Sequence, residues 1–205
     1  MKLHTSLRAP NPRRVDMFLI EKSITGIERE VYDLNAGEHR SAKFTAMNPI
    51  ARVPVLELDD GRYLAESRAI CSYLESLYPE PNLMGVDAEE RAFIEMADRQ
   101  VELTLLAAVA NHVRHSHPGL LPLENPQFAD YAAEQGKRMV AAAALFDQLL
   151  AKRPWMAGDR FTIADITAFC GLEFARLVKF RPADAGLVHL AAWRERVAER
   201  PSARL

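Results

Sequence analysis

The chain has 205 residues, of which 49% are apolar and 26% charged, and this composition excludes disordered, fibrous and collagen-like proteins. The 26 basic and 28 acidic side chains leave a formal net charge of −2, so the overall charge gives no reason to expect binding to nucleic acid or to an anionic membrane. No apolar run approaches the roughly 20 residues of a membrane-spanning helix, and the first residues lack the apolar segment of a secretory signal. We therefore expect a cytoplasmic protein. Cys71 and Cys170 form no CxxC pair, so we expect neither a metal–thiolate site nor dithiol chemistry.

The first 80 residues alternate between strand-like and helix-like patterns of apolar residues. The predicted elements, in chain order, are a strand at 2–6, a helix around 15–19, a strand at 28–34, a hairpin of strands at 53–58 and 62–65, and a helix at 67–77. This order, βαβ followed by ββα, predicts a small mixed sheet covered by helices.

Beyond about residue 87 the pattern changes to long helices. They are predicted over 88–115, 126–151, 162–178 and 187–199. The sequence Pro79-Glu80-Pro81 is typical of a stiff linker, so we predict an α/β domain over 1–80 and an all-α domain over 87–205. Thr162 and Asp165 have the spacing of a capping box, which starts a helix and carries no chemistry.

The start of the first helix is a candidate anion site. Asn11 precedes Pro12, which predicts that Asn11 caps a helix with proline at its first position. A helix N-terminus attracts anions, yet Arg13 and Arg14 follow in the first turn, where positive charge opposes the helix dipole. A bound anion or a partner carboxylate would explain the two arginines, and so would simple solvation.

Two dipeptides carry further binding features. Val53-Pro54 opens a strand, where the X–Pro bond can be cis and the backbone of Val53 can pair with an extended, peptide-like ligand. Glu66-Ser67 ends a strand and opens a helix. The Ser67 hydroxyl and the helix amides can hold a carboxylate while Glu66 holds an ammonium, which together fit an amino-acid head group. The alternative is that Ser67 only caps its helix.

Several of these motifs together resemble the cytosolic glutathione S-transferases. They are Asn48-Pro49, Val53-Pro54-Val55-Leu56, Asp60-Gly61, Leu64-Ala65-Glu66-Ser67-Arg68-Ala69-Ile70, Tyr73-Leu74 and the segment from Gly158 to Asp165. The resemblance implies α/β plus all-α architecture, with a thioredoxin-like N-terminal domain followed by an all-helical C-terminal domain. It also implies a homodimer, and glutathione as cosubstrate lying extended over the first domain.

The resemblance assigns the glutathione contacts residue by residue. The γ-glutamyl end corresponds to Glu66 and Ser67, the cysteinyl part to Val53 before a cis-Pro54, and the glycine carboxylate to His39 and Arg52. Arg68 is an alternative that in dimeric members often points toward the partner subunit.

The sequence departs from the family pattern at the residue that would activate the glutathione thiol. Ala9 stands where related classes carry a catalytic Ser or Cys, and Thr5 stands where others carry a Tyr late in the first strand. Asn11 is the best remaining candidate, because its amide and a helix N-terminus can stabilise a thiolate. Ser6 is the second choice.

Some bacterial and fungal relatives that lack the usual residue are thought to use Asn, or helical His and Ser groups, for the thiol or an activating water. The corresponding candidates end the first long helix of the second domain: Asn111, His112, His115, Ser116 and His117. A neutral histidine such as His115 has a pKa suited to a general base. The spacing lacks a carboxylate or thiolate that would indicate zinc.

We therefore expect an enzyme that conjugates the glutathione thiolate to a hydrophobic electrophile, without a metal. The alternatives are a glutathione-dependent reductase of disulfides or peroxides, and a non-catalytic scaffold for binding or regulation.

Overall fold

The computed structural model describes residues 1–7 and 9–204, so Arg8 and Leu205, which fall within the two predicted domains, lie outside it. The chain divides into two compact units, Met1–Pro81 and Asn82–Arg204.

The first unit is a four-stranded sheet with helices. Its strands are β1 (Lys2–Thr5), β2 (Glu28–Val31), β3 (Val55–Glu57) and β4 (Tyr63–Ala65); its helices are α1 (Pro10–Glu21), α2 (Ala42–Met47) and α3 (Ser67–Leu77), with a 3₁₀ turn at Glu38–Arg40. The strand order is β2-β1-β3-β4. β1 runs parallel to β2 and antiparallel to β3, and β3 runs antiparallel to β4. This is the mixed sheet that the order of elements predicts and the thioredoxin-like arrangement that the resemblance implies.

Buried apolar side chains pack the helices of this unit against each other and against the sheet. Val15 and Phe18 on α1, and Ile70 and Leu74 on α3, are buried at 0% exposure, and the two helices pack on each other. A second cluster consists of Tyr32, Phe44, Val53 and Val55. It ties α2 and the segment before β3 to the sheet.

The second unit is helical. Its helices are α4 (Ala88–Gln100), a π-helical segment (Val101–Leu106), α5 (Ala107–Ser116), α6 (Ala129–Leu150), α7 (Ile163–Ala175) and α8 (Val188–Ala198), with short 3₁₀ turns at Pro118–Leu120, Arg176–Val178 and Pro201–Arg204. The predicted helix over 88–115 is one continuous helical run. The widened π-helical part was not predictable, because the apolar spacing of the sequence does not mark it.

The start of α7 has the predicted capping box. Asp165 Oδ2 accepts from the Thr162 backbone N–H at 2.9 Å, and Asp165 Oδ1 accepts from the Met156 N–H at 2.9 Å and the Trp193 indole at 2.8 Å. Burial raises the pKa of this carboxyl to about 6. Among the described residues, none of the helices combines the length and apolar character needed to cross a membrane.

Candidate functional site

The sheet register places three of the candidate residues at one end of the sheet. His4 pairs with Val55 in β3, and Val55 pairs with Ala65 in β4. Ser6 follows β1, Val53 precedes β3 and Ser67 follows β4, so all three lie just beyond the same end of the sheet. They are distant in sequence, and the antiparallel pairing of the strands brings them to this end of the sheet.

Ser67 is held by a buried arginine from α1. Arg14 is 1% exposed, and its Nη1 donates a 2.9 Å hydrogen bond to Ser67 Oγ. Since a hydroxyl has one hydrogen and two lone pairs, this contact leaves the Ser67 hydrogen free to be donated to another acceptor. Arg14 is buried and has a hydroxyl partner, so the explanation that it is simply solvated is wrong for this residue.

Glu66 has an unusual backbone at the start of α3. Its φ of 70° and ψ of 113° put a non-glycine residue in a sparsely populated region, at a cost on the order of 1 to 3 kcal/mol that clusters at functional sites. Its side chain is exposed, and the adjoining helix N-terminus favours negative charge. The exposed carboxylate can pair with the ammonium of an amino-acid group, and the helix N-terminus can bind the carboxylate of the same group.

The segment before β3 is also shaped for an extended ligand. The Val53–Pro54 peptide bond is cis, and β3 begins only at Val55, so Val53 stands outside the strand ladder. The turn that delivers it is fixed by Asn48, whose Nδ2 donates to the Arg52 carbonyl at 2.8 Å. The Arg52 side chain itself is exposed.

His39 is buried in the 3₁₀ turn after β2. It is 7% exposed, and its Nδ1 has no hydrogen-bond partner within residues 1–7 and 9–204. Burial, and then the charge of Arg40, lower the pKa of His39. A neutral imidazole with an unsatisfied nitrogen suits contact with a polar ligand group, because a buried polar atom left without a partner is costly.

Asn11 is not the helix cap that the sequence predicts. The N-cap is Ala9, which has extended backbone and no capping side chain, and α1 begins at Pro10. Asn11 therefore lies inside the first turn, where it is half-buried. The prediction failed because proline suits the first helical position whichever residue precedes it, and here two prolines compete for that position.

The other residues near the end of β1 are buried. Ser6 is 8% exposed and Thr5 is 0% exposed. Among the described residues the Thr5 hydroxyl finds no hydrogen-bond partner.

The histidines of α5 belong to the second unit, and each has a defined role for its ring nitrogens. His112 Nδ1 lies 2.8 Å from the Ala132 carbonyl, which can only accept, so Nδ1 donates, and in the neutral ring it is Nε2 that carries the lone pair. His115 Nδ1 accepts from the Phe128 N–H at 3.2 Å, and its Nε2 faces Glu124 at 3.9 Å. His112 is therefore better arranged to act as a base, and the catalytic assignment of His115 stays a prediction.

Sequence reasoning missed two features of the site. The Arg14–Ser67 contact joins residues 53 positions apart. The positive φ of Glu66 cannot be predicted from the sequence either, because glutamate rarely adopts it. The first-turn position of Arg14 was the only available signal. No group of three or more metal-ligating side chains occurs in the part of the chain that the structure describes.

Comparison with known proteins identifies the family. Residues 9–77 match the glutathione S-transferase N-terminal domain and residues 106–201 the glutathione S-transferase C-terminal domain. The chain belongs to the glutathione S-transferase family, whose members use glutathione as cosubstrate.

Individual relatives cover four fifths or more of the chain. "Glutathione S-transferase 2" of Saccharomyces cerevisiae is 37% identical, with 98% of this chain and 87% of the yeast protein covered. The maleylacetoacetate isomerase of Pseudomonas aeruginosa is 31% identical, over 81% of this chain and 77% of the isomerase. The crystal structure of a glutathione S-transferase domain-containing protein from Marinobacter aquaeolei has a TM-score of 0.93 at 42% identity, covering 99% of this chain and 100% of that one.

Proposed function

We propose that this protein is a glutathione transferase that ionises the glutathione thiol and adds it to a hydrophobic electrophile. The observation that carries the proposal is the placement of Ser6, Val53 and Ser67 beyond one end of the sheet, with Ser67 held by the buried Arg14. Family membership supports the general activity.

The proposed binding mode follows the polarity of the site. The γ-glutamyl carboxylate accepts from the Ser67 hydroxyl and the N-terminus of α3, and its ammonium pairs with Glu66. The cysteinyl backbone pairs with Val53 ahead of cis-Pro54, and the glycine carboxylate contacts His39 and Arg52.

For the thiol we propose Asn11, with Ser6 second and His115 as a helical alternative. The first turn of α1 supplies partial positive charge, and a helix N-terminus lowers the pKa of a nearby thiol. Asn11 would add a neutral amide donor there. Positioning and a lower thiol pKa would together supply the rate.

The test is a pH titration of thiolate absorbance for glutathione bound to the protein, compared with free glutathione. We expect a lower pKa for the bound thiol, and in Asn11→Ala a loss in kcat much larger than the loss in binding, because the contact matters most for the thiolate. Asn35→Ala, an exposed asparagine of the same unit, is the matched control. Saturable binding without a pKa shift would contradict thiol activation.

Two assays run side by side, aryl-halide conjugation and disulfide exchange, distinguish the transferase reaction from the reductase reaction. The isomerase among the relatives makes cis–trans isomerisation a third reaction to assay. We expect conjugation to be fastest, and a faster disulfide exchange would favour the reductase alternative.

We also propose a homodimer. In the second unit Phe93 and Met96, one turn apart on α4, are 56% and 47% exposed, and Leu103 in the π-helical segment is 62% exposed. Large apolar side chains grouped on one helix are typical of a surface that a partner covers.

A further inference from the structure

A cavity of about 350 Å³ opens in the second unit, at the end of α7. It is lined by residues of the 3₁₀ turn that follows α7, of the loop over 180–184 and of α8. All of these residues belong to the second unit, and none of them is proposed to contact glutathione. Pockets that bind small molecules measure roughly 300 to 1,000 Å³, so the cavity is large enough for a ligand of the size of one amino acid.

The loop that forms one wall of the cavity is fixed by its backbone. Lys179 adopts a φ of 60°, and the Phe180 N–H donates to the Ala175 carbonyl at 3.2 Å, which is the Schellman arrangement that ends a helix and turns the chain. The Leu187 N–H then donates to the Pro182 carbonyl at 2.9 Å. Phe180 and Pro182 both line the cavity, so this wall is apolar and preformed.

Two of the three arginines that line the cavity are held by one carboxylate of α7. Glu173 Oε2 accepts from Arg176 Nη1 at 2.8 Å, and Glu173 Oε1 accepts from Arg194 Nη2. The Glu173 side chain is 9% exposed and lies outside the lining. A guanidinium has five N–H donors in a rigid fork, and Glu173 engages only some of them. The remaining donors are therefore oriented in advance for a carboxylate, which binds guanidinium well.

The cavity also carries carboxylates that do not pair with these arginines. Asp184 of the loop and Glu195 of α8 line it together with Arg181, the third arginine. Within residues 1–7 and 9–204, no ion pair joins either carboxylate to any of the three guanidinium groups. Together with Glu173, the two carboxylates balance the three positive charges. Charges of both signs thus share one cavity without neutralising each other by direct contact.

We infer that this cavity binds a small zwitterion of the amino-acid type that has an apolar side chain. The ligand carboxylate accepts from Arg176 and Arg194, its ammonium pairs with Asp184 and Glu195, and its side chain packs on Phe180. A ligand with a single charge would leave one sign of the lining unmatched, whereas a zwitterion complements both. This site is separate from the one proposed for glutathione and does not depend on the proposed function.

Titration of the ¹⁵N-labelled protein with phenylalanine, followed by amide NMR, tests the inference. We expect saturable shifts at the amides of Phe180, Ala183 and Ala191, which line the cavity. 3-Phenylpropanoate lacks the ammonium and phenethylamine lacks the carboxylate. Each should bind on the order of tenfold more weakly than phenylalanine, because a hydrogen-bonded charge is lost.

The two unpaired carboxylates supply a variant that leaves the ion pairs of the fold intact. Asp184 and Glu195 are exposed, so Asp184→Asn with Glu195→Gln should fold normally. It should bind phenylalanine on the order of tenfold more weakly, and 3-phenylpropanoate no more weakly than the unmodified protein does. Arg138→Gln, an exposed arginine of α6, is the matched control and should bind phenylalanine normally.

The γ-glutamyl site proposed at Ser67 also recognises an amino-acid group, so the two sites must be separated. The phenylalanine shifts at the cavity amides should persist in Ser67→Ala and with S-methylglutathione in excess. Their absence from the unmodified protein, their loss in Ser67→Ala, or equal affinities for the three compounds would each overturn the inference. Intact cavity shifts in a protein that does not bind S-methylglutathione would support this site and contradict the proposed function alone.

Discussion

Ser67 shows how one hydroxyl can serve the fold and a ligand together. Arg14 uses a lone pair of its oxygen, and the hydrogen stays available to a carboxylate. Arg14 also carries buried positive charge to the start of α3, next to the exposed Glu66. A serine that only capped its helix would need no buried arginine against it.

The corresponding prediction concerns Ser67→Ala. It should weaken glutathione binding by about 1 to 3 kcal/mol, because the ligand carboxylate and the buried guanidinium each lose a hydrogen-bond partner. Titration calorimetry measures the change. Ser76→Ala, on the same helix but exposed, is the control and should bind glutathione normally. Equal affinity in the Ser67 variant would refute the placement of the γ-glutamyl end.

At the scale of elements, α7 depends on a single buried carboxylate. Asp165 is 0% exposed and accepts from the loop before the helix and from Trp193 of α8. Replacement by Asn puts an NH₂ group against donors. We expect a loss of unfolding free energy on the order of 3 kcal/mol, since a buried bonded acceptor is removed.

Asp165 also predicts a pH dependence with a definite sign. Burial raises its pKa to about 6 in the native state, against 3.8 as the ordinary value. The native state therefore holds this proton more tightly than the unfolded state does. The protonated carboxyl contributes fully to the unfolding free energy below about pH 4, and this contribution is lost as the pH rises through about 6. A shift of this size corresponds to about 3 kcal/mol.

Urea unfolding followed by tryptophan fluorescence measures this effect, because both tryptophans, Trp155 and Trp193, lie in the second unit. The difference in unfolding free energy between the unmodified protein and Asp165→Asn should be larger at pH 4 than at pH 7. A difference independent of pH would mean that the carboxylate is not perturbed.

At the scale of the whole molecule, the exposed apolar side chains of α4 predict self-association. The chain mass is 23.0 kDa, so sedimentation velocity should give about twice this mass for a dimer. Phe93→Asp with Met96→Asp should give the mass of a single chain, because charges oppose burial of that face. Leu145→Asp, on α6 and 49% exposed, is the control and should leave the dimer intact. A single-chain mass for the unmodified protein would refute the homodimer.

The sequence by itself determined the order of the strands and of the helices α1 and α3, the hairpin and the change to helices beyond residue 87, but not helix α2 between β2 and β3. Each of these depends on local patterns: alternation in the strands, helical spacing on α3, proline in the linker, and the Thr162–Asp165 capping box. Helices, caps and turns can be identified locally because they pair backbone groups a few residues apart, and a strand can be identified because its successive side chains point to opposite faces of the sheet. The candidate Glu66-Ser67 dipeptide was identifiable for the same reason, as the end of a strand and the start of a helix.

Only the tertiary structure decided which residues meet. The placement of Ser6, Val53 and Ser67 beyond one end of the sheet follows from strand pairing, and the bond from Arg14 to Ser67 joins two helices. The helix start at Pro10 rather than Pro12 and the burial of His39 likewise depend on packing. Contacts between residues far apart in the chain leave no mark in local periodicity, since the free energy that forms them comes from burial and long-range pairing.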